Sequence, residues 1–232
     1  YWYNGKLIDC LGKLREIAAR LPSLERVVVV PYAGGAGDGE GLAGIRKGVT
    51  LAAFLAPFLA QRKVRFERLP FDHPLYIMYS SGTTGVPKCI VHGVGGTLIQ
   101  HLKEHVLHTD LKREDRIFFY TTCGWMMWNW LVSALLYDGS HSHPDGNALW
   151  TLADDAGISV FGTSAKWLAA IEKAGVVPRG THKLLALRTV LSTGSPLAPE
   201  GFEYVYRDIK DRVMLSSISG GTDIISCFAL GN

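Results

Sequence analysis

The strongest chemical signal in the sequence is the segment YSSGTTGVPK at residues 79–88, which directly follows an apolar run. Glycines at positions 82 and 85 permit backbone angles that turn N–H groups inward, and such a nest binds anions. Hydroxyl side chains add further donors, and a lysine adds a positive charge. The residues that form this predicted polyphosphate cradle are Ser80, Ser81, Gly82, Thr83, Thr84, Gly85 and Lys88.

Two other interpretations of this segment are weaker. A Walker-type P-loop needs the pattern GxxxxGK[ST], but counting from Gly82 places Pro87 at the second glycine and Cys89 at the hydroxyl that binds magnesium. Two of the fixed positions therefore fail, which disfavours a P-loop kinase. A Ser/Gly-rich turn without a ligand is common for short Ser-Gly-Thr strings, but it is disfavoured for a string of this length.

Helices alternate with strands on both sides of the cradle. Helical spacing over residues 11–21 precedes the β-branched run 26–32, which is typical of a strand buried on both faces of a parallel sheet. An α/β fold of this kind carries its ligand sites at the carboxyl ends of its strands. Further strands are predicted at 75–80, 89–92, 116–121, 158–161, 188–193 and 213–217, and further helices at 94–108, 147–156, 164–174 and 199–209.

Composition and charge exclude several classes of protein. The 232 residues are 47% hydrophobic with a net charge of +3, which excludes general disorder. The basic residues are scattered, so no nucleic-acid partner is expected. Cys10, Cys89, Cys123 and Cys227 form no CxxC pair, which favours buried free thiols in a reducing compartment, the cytoplasm.

Two apolar stretches, a glycine-rich segment and a group of histidines are further features of the sequence. The longest apolar stretches, 51–60 and 125–137, are too short to span a bilayer. Residues 33–44 are rich in glycine and are predicted to form a flexible surface loop. The histidines at positions 101, 105 and 108 share one face of a predicted helix, where a solvated polar stripe is favoured over a metal site.

The string YSSGTTGVPK resembles the phosphate loop of the adenylate-forming superfamily, which includes acyl-CoA synthetases, peptide-synthetase adenylation domains and luciferases. Three later segments are similar to superfamily motifs in the same order: GWMMWNW (124–130) to the acyl-pocket segment, STGSPLAPE (192–200) to the adenine-binding turn, and SISGGTD (217–223) to the motif ending in Thr-Glu or Thr-Asp. Within the superfamily, FDHPLYIMYSSGTTGVPKCIVHG and FGTSAKWLAAIEKAG are most similar to the acetoacetate-activating members.

The resemblance implies a role for each matched nucleotide-binding residue. The cradle would hold the β- and γ-phosphates of ATP, Thr222 would contact the α-phosphate, and Asp223 would bind Mg²⁺. Lys88, Thr222 and Asp223 would be the catalytic residues. The turn expected to lie against adenine consists of Gly194, Ser195 and Pro196.

The resemblance also implies a pocket for the acid. Acetyl-activating relatives often carry Trp two residues before the motif threonine, where this chain has Gly220, and the missing indole would open room for a four-carbon acid. The residues expected to bind the acid are Trp125, Met126, Met127, Thr193, Gly220 and Gly221, the first three as an apolar wall.

The implied reaction is ATP-dependent conversion of a short β-keto acid, acetoacetate, to an acyl-adenylate with release of pyrophosphate, followed by thioester formation with CoA. The implied fold is α/β, with parallel-sheet layers flanked by helices. Residues 1–232 would be the central part of a large N-terminal adenylation domain, and the C-terminal domain with a catalytic lysine is expected to lie outside the chain. Another short-chain acyl-CoA synthetase, a carrier-protein adenylation domain and a non-catalytic nucleotide-binding fragment are the alternatives.

Overall fold

The computed structural model describes residues 1–3, 6–32, 40–63, 65–80, 85–134 and 146–231. These residues form two compact units, and the boundary lies between Glu67 and Arg68. Four cradle residues, Ser81, Gly82, Thr83 and Thr84, lie outside the described residues, as does most of the predicted glycine-rich loop. Of that loop, Glu40–Leu42 forms a short 3₁₀ helix.

The first unit is a small α/β layer. Its elements are β1 (Trp2–Tyr3), β2 (Lys6–Leu7), α1 (Leu11–Arg20), β3 (Val27–Val29), β4 (Gly48–Thr50) and α2 (Leu51–Leu55). Strands β3 and β4 are paired in parallel, and Ala18 of α1 forms a small apolar cluster with Val27 of β3 and Ile45, which precedes β4. The predicted helix is confirmed, but burial of the strand on both faces is wrong, because β3 is only three residues long and Val30 beyond it is 57% exposed.

The second unit begins with an antiparallel hairpin that carries the cradle segment. Its strands are β5 (Pro74–Ser80) and β6 (Lys88–Gly93), and Ser80 lies directly opposite Lys88. The first and last residues of the predicted cradle, Ser80 and Lys88, therefore face each other across the hairpin. Helix α3 (Val94–Lys103) follows without a break and continues as a π-helical turn over Glu104–His108.

The strands predicted at 75–80 and 89–92 and the helix predicted at 94–108 are confirmed by β5, β6 and α3 with its π-helical turn.

The remaining elements are β7 (Ile117–Phe119), α4 (Met126–Ser133), α5 (Ala148–Asp155), β8 (Val160–Ser164), α6 (Ala165–Lys173), β9 (Thr189–Thr193), α7 (Pro199–Tyr204), β10 (Met214–Ser217), β11 (Ser219–Gly221) and β12 (Ser226–Ala229). Helix α7 continues as a π-helical turn over Val205–Ile209.

Four of these strands form the parallel sheet expected from the sequence, in the order β10-β9-β8-β7. Successive side chains of a strand point to opposite faces, so the sheet separates two apolar clusters. The back core contains Phe118, Trp150 and Phe161 and lies under α5, α6 and α7. The front core contains Phe119 and Trp130, and it includes residues of α4 and β12 and Ile218, which precedes β11.

An ion pair fixes the amino-terminal edge of this sheet. Arg188, which precedes β9, contacts both carboxylate oxygens of Asp115, which precedes β7, at 3.1 and 2.5 Å. The guanidinium also donates to the carbonyls of Thr109 and Asp110. Burial raises the pKa of Asp115, but the hydrogen bonds from Arg188 and from the Lys112 amide outweigh it and lower the pKa to about 2.

The four cysteines differ in their exposure to solvent. Cys10, Cys89 and Cys123 are exposed, so the predicted burial of free thiols is wrong for three of the four cysteines and holds for Cys227. Within the described ranges, none of the helices has the length and apolar character that a bilayer span requires.

We expect Asp115→Asn to destabilise the protein by about 1–2 kcal/mol at pH 7, because it removes a charge-assisted pair. The folded-state pKa lies below the ordinary value, so ionised Asp115 stabilises the fold above about pH 4, and this contribution is lost as the pH falls towards 2. Chemical unfolding of both proteins should show the difference in unfolding free energy shrinking over that window. A difference that stays constant from pH 7 to the acid limit would contradict this account.

Candidate active site

A pocket of about 420 Å³ lies at the carboxyl ends of β9 and β10, where an α/β sheet is expected to bind ligands. Four chain segments contribute to its walls: the end of β5, the start of α4, the turn after β9 and the hairpin β11–β12 with the residue before it. The lining residues are Tyr79, Gly124, Trp125, Met126, Met127, Thr193, Gly194, Ile218, Gly220, Gly221, Thr222 and Cys227.

The pocket brings together eight of the residues expected from the sequence. They are Trp125, Met126, Met127, Thr193, Gly194, Gly220, Gly221 and Thr222. Six other expected residues are described but do not belong to its lining: Ser80, Gly85, Lys88, Ser195, Pro196 and Asp223. Ser80 and Lys88 lie at the base of the cradle, and Asp223 lies next to a lining residue.

The α4 wall combines apolar surface with a helix N-terminus. Trp125 is the extended residue that precedes the helix, and it is 52% exposed at the pocket. Met126 and Met127 form the first turn and pack into the front core. Because the helix dipole favours negative charge at this end, the wall suits an acid whose apolar part contacts the Trp and Met side chains.

The turn after β9 presents backbone to the pocket. Gly194 has φ +86°, a left-handed conformation that glycine adopts without strain. Ser195 and Pro196 are exposed, and the Leu197 amide donates to the Ser217 hydroxyl at 3.1 Å, which fixes the turn against β10. The result is an open, side-chain-poor surface, which suits a flat heterocycle.

The hairpin β11–β12 carries Thr222 and Asp223 in its turn. Thr222 is half-buried, and its carbonyl accepts a hydrogen bond from His92 Nε2 at 2.8 Å. Asp223 is exposed. Ile225 is buried with φ +46°, a left-handed conformation that is costly for a β-branched residue. Tertiary contacts therefore impose the conformation of this turn.

The absence of a side chain at Gly220 does not open room in the acid pocket, as the resemblance implied that it would. A Cβ at Gly220 would stand 2.2 Å from the Ser226 carbonyl oxygen and 2.7 Å from the Cα of Cys227, because this side of the residue faces the partner strand. The expectation that a missing side chain at Gly220 enlarges the pocket is therefore wrong. A Cβ at Gly221 would meet no atom within 4 Å, so the open space lies beside that residue.

Four of the lining residues were not predicted as site residues: Tyr79, Gly124, Ile218 and Cys227. The first three lie inside the motif segments 79–88, 124–130 and 217–223, so membership in a motif was the available signal. No motif or spacing in the sequence indicated that Cys227 would line the site. Burial, reinforced by the neighbouring Glu104 carboxylate, raises the pKa of the Cys227 thiol to about 12, so it lines the pocket as a neutral group.

The histidines of α3 are structural and not a solvated stripe. His101 and His105 are 2% and 7% exposed, so that interpretation is wrong. Burial lowers the pKa of both, to about 4 for His105, where the neighbouring His101 contributes as well. In the part of the chain that the structure describes, no cluster of three or more His, Cys, Asp or Glu side chains could hold a metal ion.

With these motifs meeting in one pocket, comparison with known proteins gives the family. Residues 11–225 match the AMP-binding enzyme family. The chain belongs to the AMP-binding enzyme family. Among curated relatives within this family, the chain is 58% identical to an acetoacetyl-coenzyme A synthetase of Rhizobium meliloti (strain 1021) and 45% identical to a malonamoyl-CoA synthetase of Penicillium aethiopicum.

Solved structures of AMP-binding enzymes agree with the fold. The acetoacetyl-CoA synthetase from Streptomyces lividans matches with a TM-score of 0.85 and 41% identity, over 100% of this chain and 36% of that chain. The two curated alignments cover 100% and 98% of this chain but 36% and 35% of the relatives. The chain thus spans about a third of the length of the AMP-binding enzymes it matches, and the α/β fold expected from the sequence is confirmed.

The two adjacent glycines give a matched pair of variants. We expect Gly220→Ala to destabilise the protein by about 1–3 kcal/mol, because the added methyl overlaps the backbone of β12. We expect Gly221→Ala to change the unfolding free energy by less than about 0.5 kcal/mol, because its methyl enters open space. Chemical unfolding of both variants tests this, and equal losses at the two positions would contradict the hairpin geometry.

Proposed function

We propose that this chain is part of the AMP-binding domain of an enzyme that activates acetoacetate with ATP and transfers the acyl group to CoA. The main support is that residues from three separate motifs line one pocket at the carboxyl edge of the sheet. The names of the relatives from Rhizobium meliloti and Streptomyces lividans support acetoacetate as the acid.

In the proposed first step, a carboxylate oxygen of the acid attacks the α-phosphorus of ATP. A new O–P bond forms, the bond to the bridging oxygen breaks, and pyrophosphate leaves with the electron pair. The α4 wall would hold the acid, its N-terminal dipole would orient the carboxylate, and the Thr222 hydroxyl would donate to the α-phosphate. Catalysis of this kind rests on position and charge neutralisation.

The cradle and the turn after β9 would hold the rest of ATP. Lys88 would place a positive charge beside the β- and γ-phosphates, together with the donors of Ser80 and its neighbours. Gly85 has φ +105° and no atom within 4 Å of a Cβ position, so its backbone is open to a ligand. Adenine would lie against the turn formed by Gly194, Ser195 and Pro196.

Asp223 would hold Mg²⁺ together with the phosphates. Its carboxylate is exposed and follows Thr222 directly. Mg²⁺ is typically held by one or two carboxylates plus substrate phosphates and waters, so this donor set suits a metal that arrives with ATP. The ion would neutralise charge on the phosphates. In the second step, the CoA thiol attacks the acyl carbonyl, loses its proton and displaces AMP.

A second acid is favoured by one of the relatives. The acyl groups of acetoacetyl-CoA and malonamoyl-CoA each carry a carbonyl β to the thioester, and they differ by a methyl in place of an amino group. Malonamate is therefore the second candidate substrate. Both acids require a pocket that accepts a four-heavy-atom chain ending in a small group.

Acid-dependent ATP–pyrophosphate exchange by the full-length protein tests the proposal. We expect exchange with acetoacetate to exceed that with acetate and butyrate by about tenfold or more in kcat/KM, where butyrate is the length-matched acid without the β-carbonyl. Higher kcat/KM with malonamate would favour the second candidate. Exchange with butyrate equal to that with acetoacetate would favour a general short-chain enzyme, and no exchange with any acid would favour a non-catalytic fragment.

Lys88→Ala should lower the rate of exchange about a hundredfold, because the charge it supplies acts on the leaving pyrophosphate. Binding of acetoacetate, measured by calorimetry without ATP, should change by less than about twofold. Lys166→Ala, at an exposed position of α6, is the matched control and should retain both properties. Equal losses of exchange and acid binding in Lys88→Ala would point to a folding defect.

A further inference from the structure

Glu104 is a buried carboxylate that the proposed reaction does not use. It stands where α3 passes into its π-helical turn, and its side chain is 0% exposed. The nearest ammonium, Lys103 Nζ, is 3.8 Å away and stays partly in solvent. Burying a carboxylate costs several kcal/mol of folding free energy unless hydrogen-bond donors surround it. The stability of this arrangement therefore depends on the donors that contact Glu104.

Three donors converge on the carboxylate from two different elements. Trp130 Nε1, on α4, donates to Oε2 at 2.7 Å. The Cys227 amide, on β12, donates to Oε1 at 2.9 Å, and the Ser226 hydroxyl donates to the same oxygen. Gln100, one turn earlier on α3, donates to the Ser226 hydroxyl. One side chain thus joins three elements of the front core.

Two of these elements carry opposite walls of the pocket. Trp130 is one turn after Met126 and Met127, which form the acid side of the proposed site. Ser226 and Cys227 follow the turn that carries Thr222, on the phosphate side. The Glu104 side chain therefore links the two walls through hydrogen bonds to α4 and β12.

Two histidines also contact the turn that carries Thr222. His101 Nε2 donates to the Ile225 carbonyl at 2.8 Å, at the residue with the strained left-handed backbone. His92 Nε2 donates to the Thr222 carbonyl at 2.8 Å. The conformation of the turn thus depends on polar contacts with β6 and α3. His101 Nδ1 also contacts the Ser133 hydroxyl of α4 at 2.9 Å, and Glu104 adds a second polar link to α4 through Trp130.

We propose that Glu104 is a positioning residue that sets the distance between the acid wall on α4 and the Thr222 turn on β11–β12. This inference rests on the proposed function, in which the acid oxygen must approach the α-phosphorus. Displacements of about 1 Å between reacting groups can cost about a hundredfold in rate, so a fixed separation of the two walls matters for the rate. Binding of each substrate depends on its own wall and much less on their separation.

The test removes one side-chain donor at each end of the link and leaves the carboxylate and the Cys227 amide bond in place. Trp130→Phe removes the donor from α4, and Ser226→Ala removes the hydroxyl from β12. In the full-length protein, each should lower kcat of acetoacetate-dependent pyrophosphate exchange about tenfold, with KM for ATP and acetoacetate changed by less than about twofold. Trp150→Phe is the matched control, because Trp150 is also 0% exposed but lies in the back core, and its kcat should stay within about twofold.

A double-mutant cycle separates positioning from general loss of packing. If both ends act through Glu104, the double variant Trp130→Phe/Ser226→Ala should lose about as much rate as the more affected single variant. The pair Trp150→Phe/Ser226→Ala should show multiplied effects. The proposal is overturned if the Trp130 and Ser226 effects multiply, or if Trp130→Phe behaves like Trp150→Phe. A wild-type protein without exchange would instead overturn the proposed function.

Discussion

Hydrogen bonding between the parallel strands decides which parts of the chain meet in the pocket. Ser192 of β9 lies opposite Thr163 of β8 and opposite Ser217 of β10, so the three strands end at the same level. The turn after β9 and the hairpin after β10 leave the sheet from that edge. Because the register is fixed by the ladder, motif residues that are distant in sequence line one cavity.

The sequence predicted the larger elements well, because buried runs and helical spacing are strong local signals. The strand at Thr189–Thr193 and the helix at Val94–Lys103 follow such runs. The hairpin β11–β12 has no such signal, since Ser219–Gly221 consists of serine and glycine. Its formation depends on contacts with α3 and β6, residues more than a hundred positions earlier, which no local pattern contains.

Two errors about the site have a common physical origin. Helical spacing places His101 and His105 on one face of α3, but it does not show what covers that face, and the structure buries both. Motif alignment matched Gly220 to a bulky residue of other proteins, but it does not show where a Cβ would point. The pleat of the hairpin decides that direction. The sequence therefore predicted which residue types occupy these positions. It did not predict the direction in which a side chain points or which residues bury it.

The separation of the two apolar clusters by one sheet has an evolutionary consequence. Phe118 and Phe161 pack with helices α5, α6 and α7 and do not line the pocket, so substitutions there would act on packing and not on the cavity wall. Met127, on the other side, packs into the front core and also lines the cavity. We therefore expect sequence drift among relatives to be freer behind the sheet, whereas drift in front of it would alter packing and the shape of the cavity together.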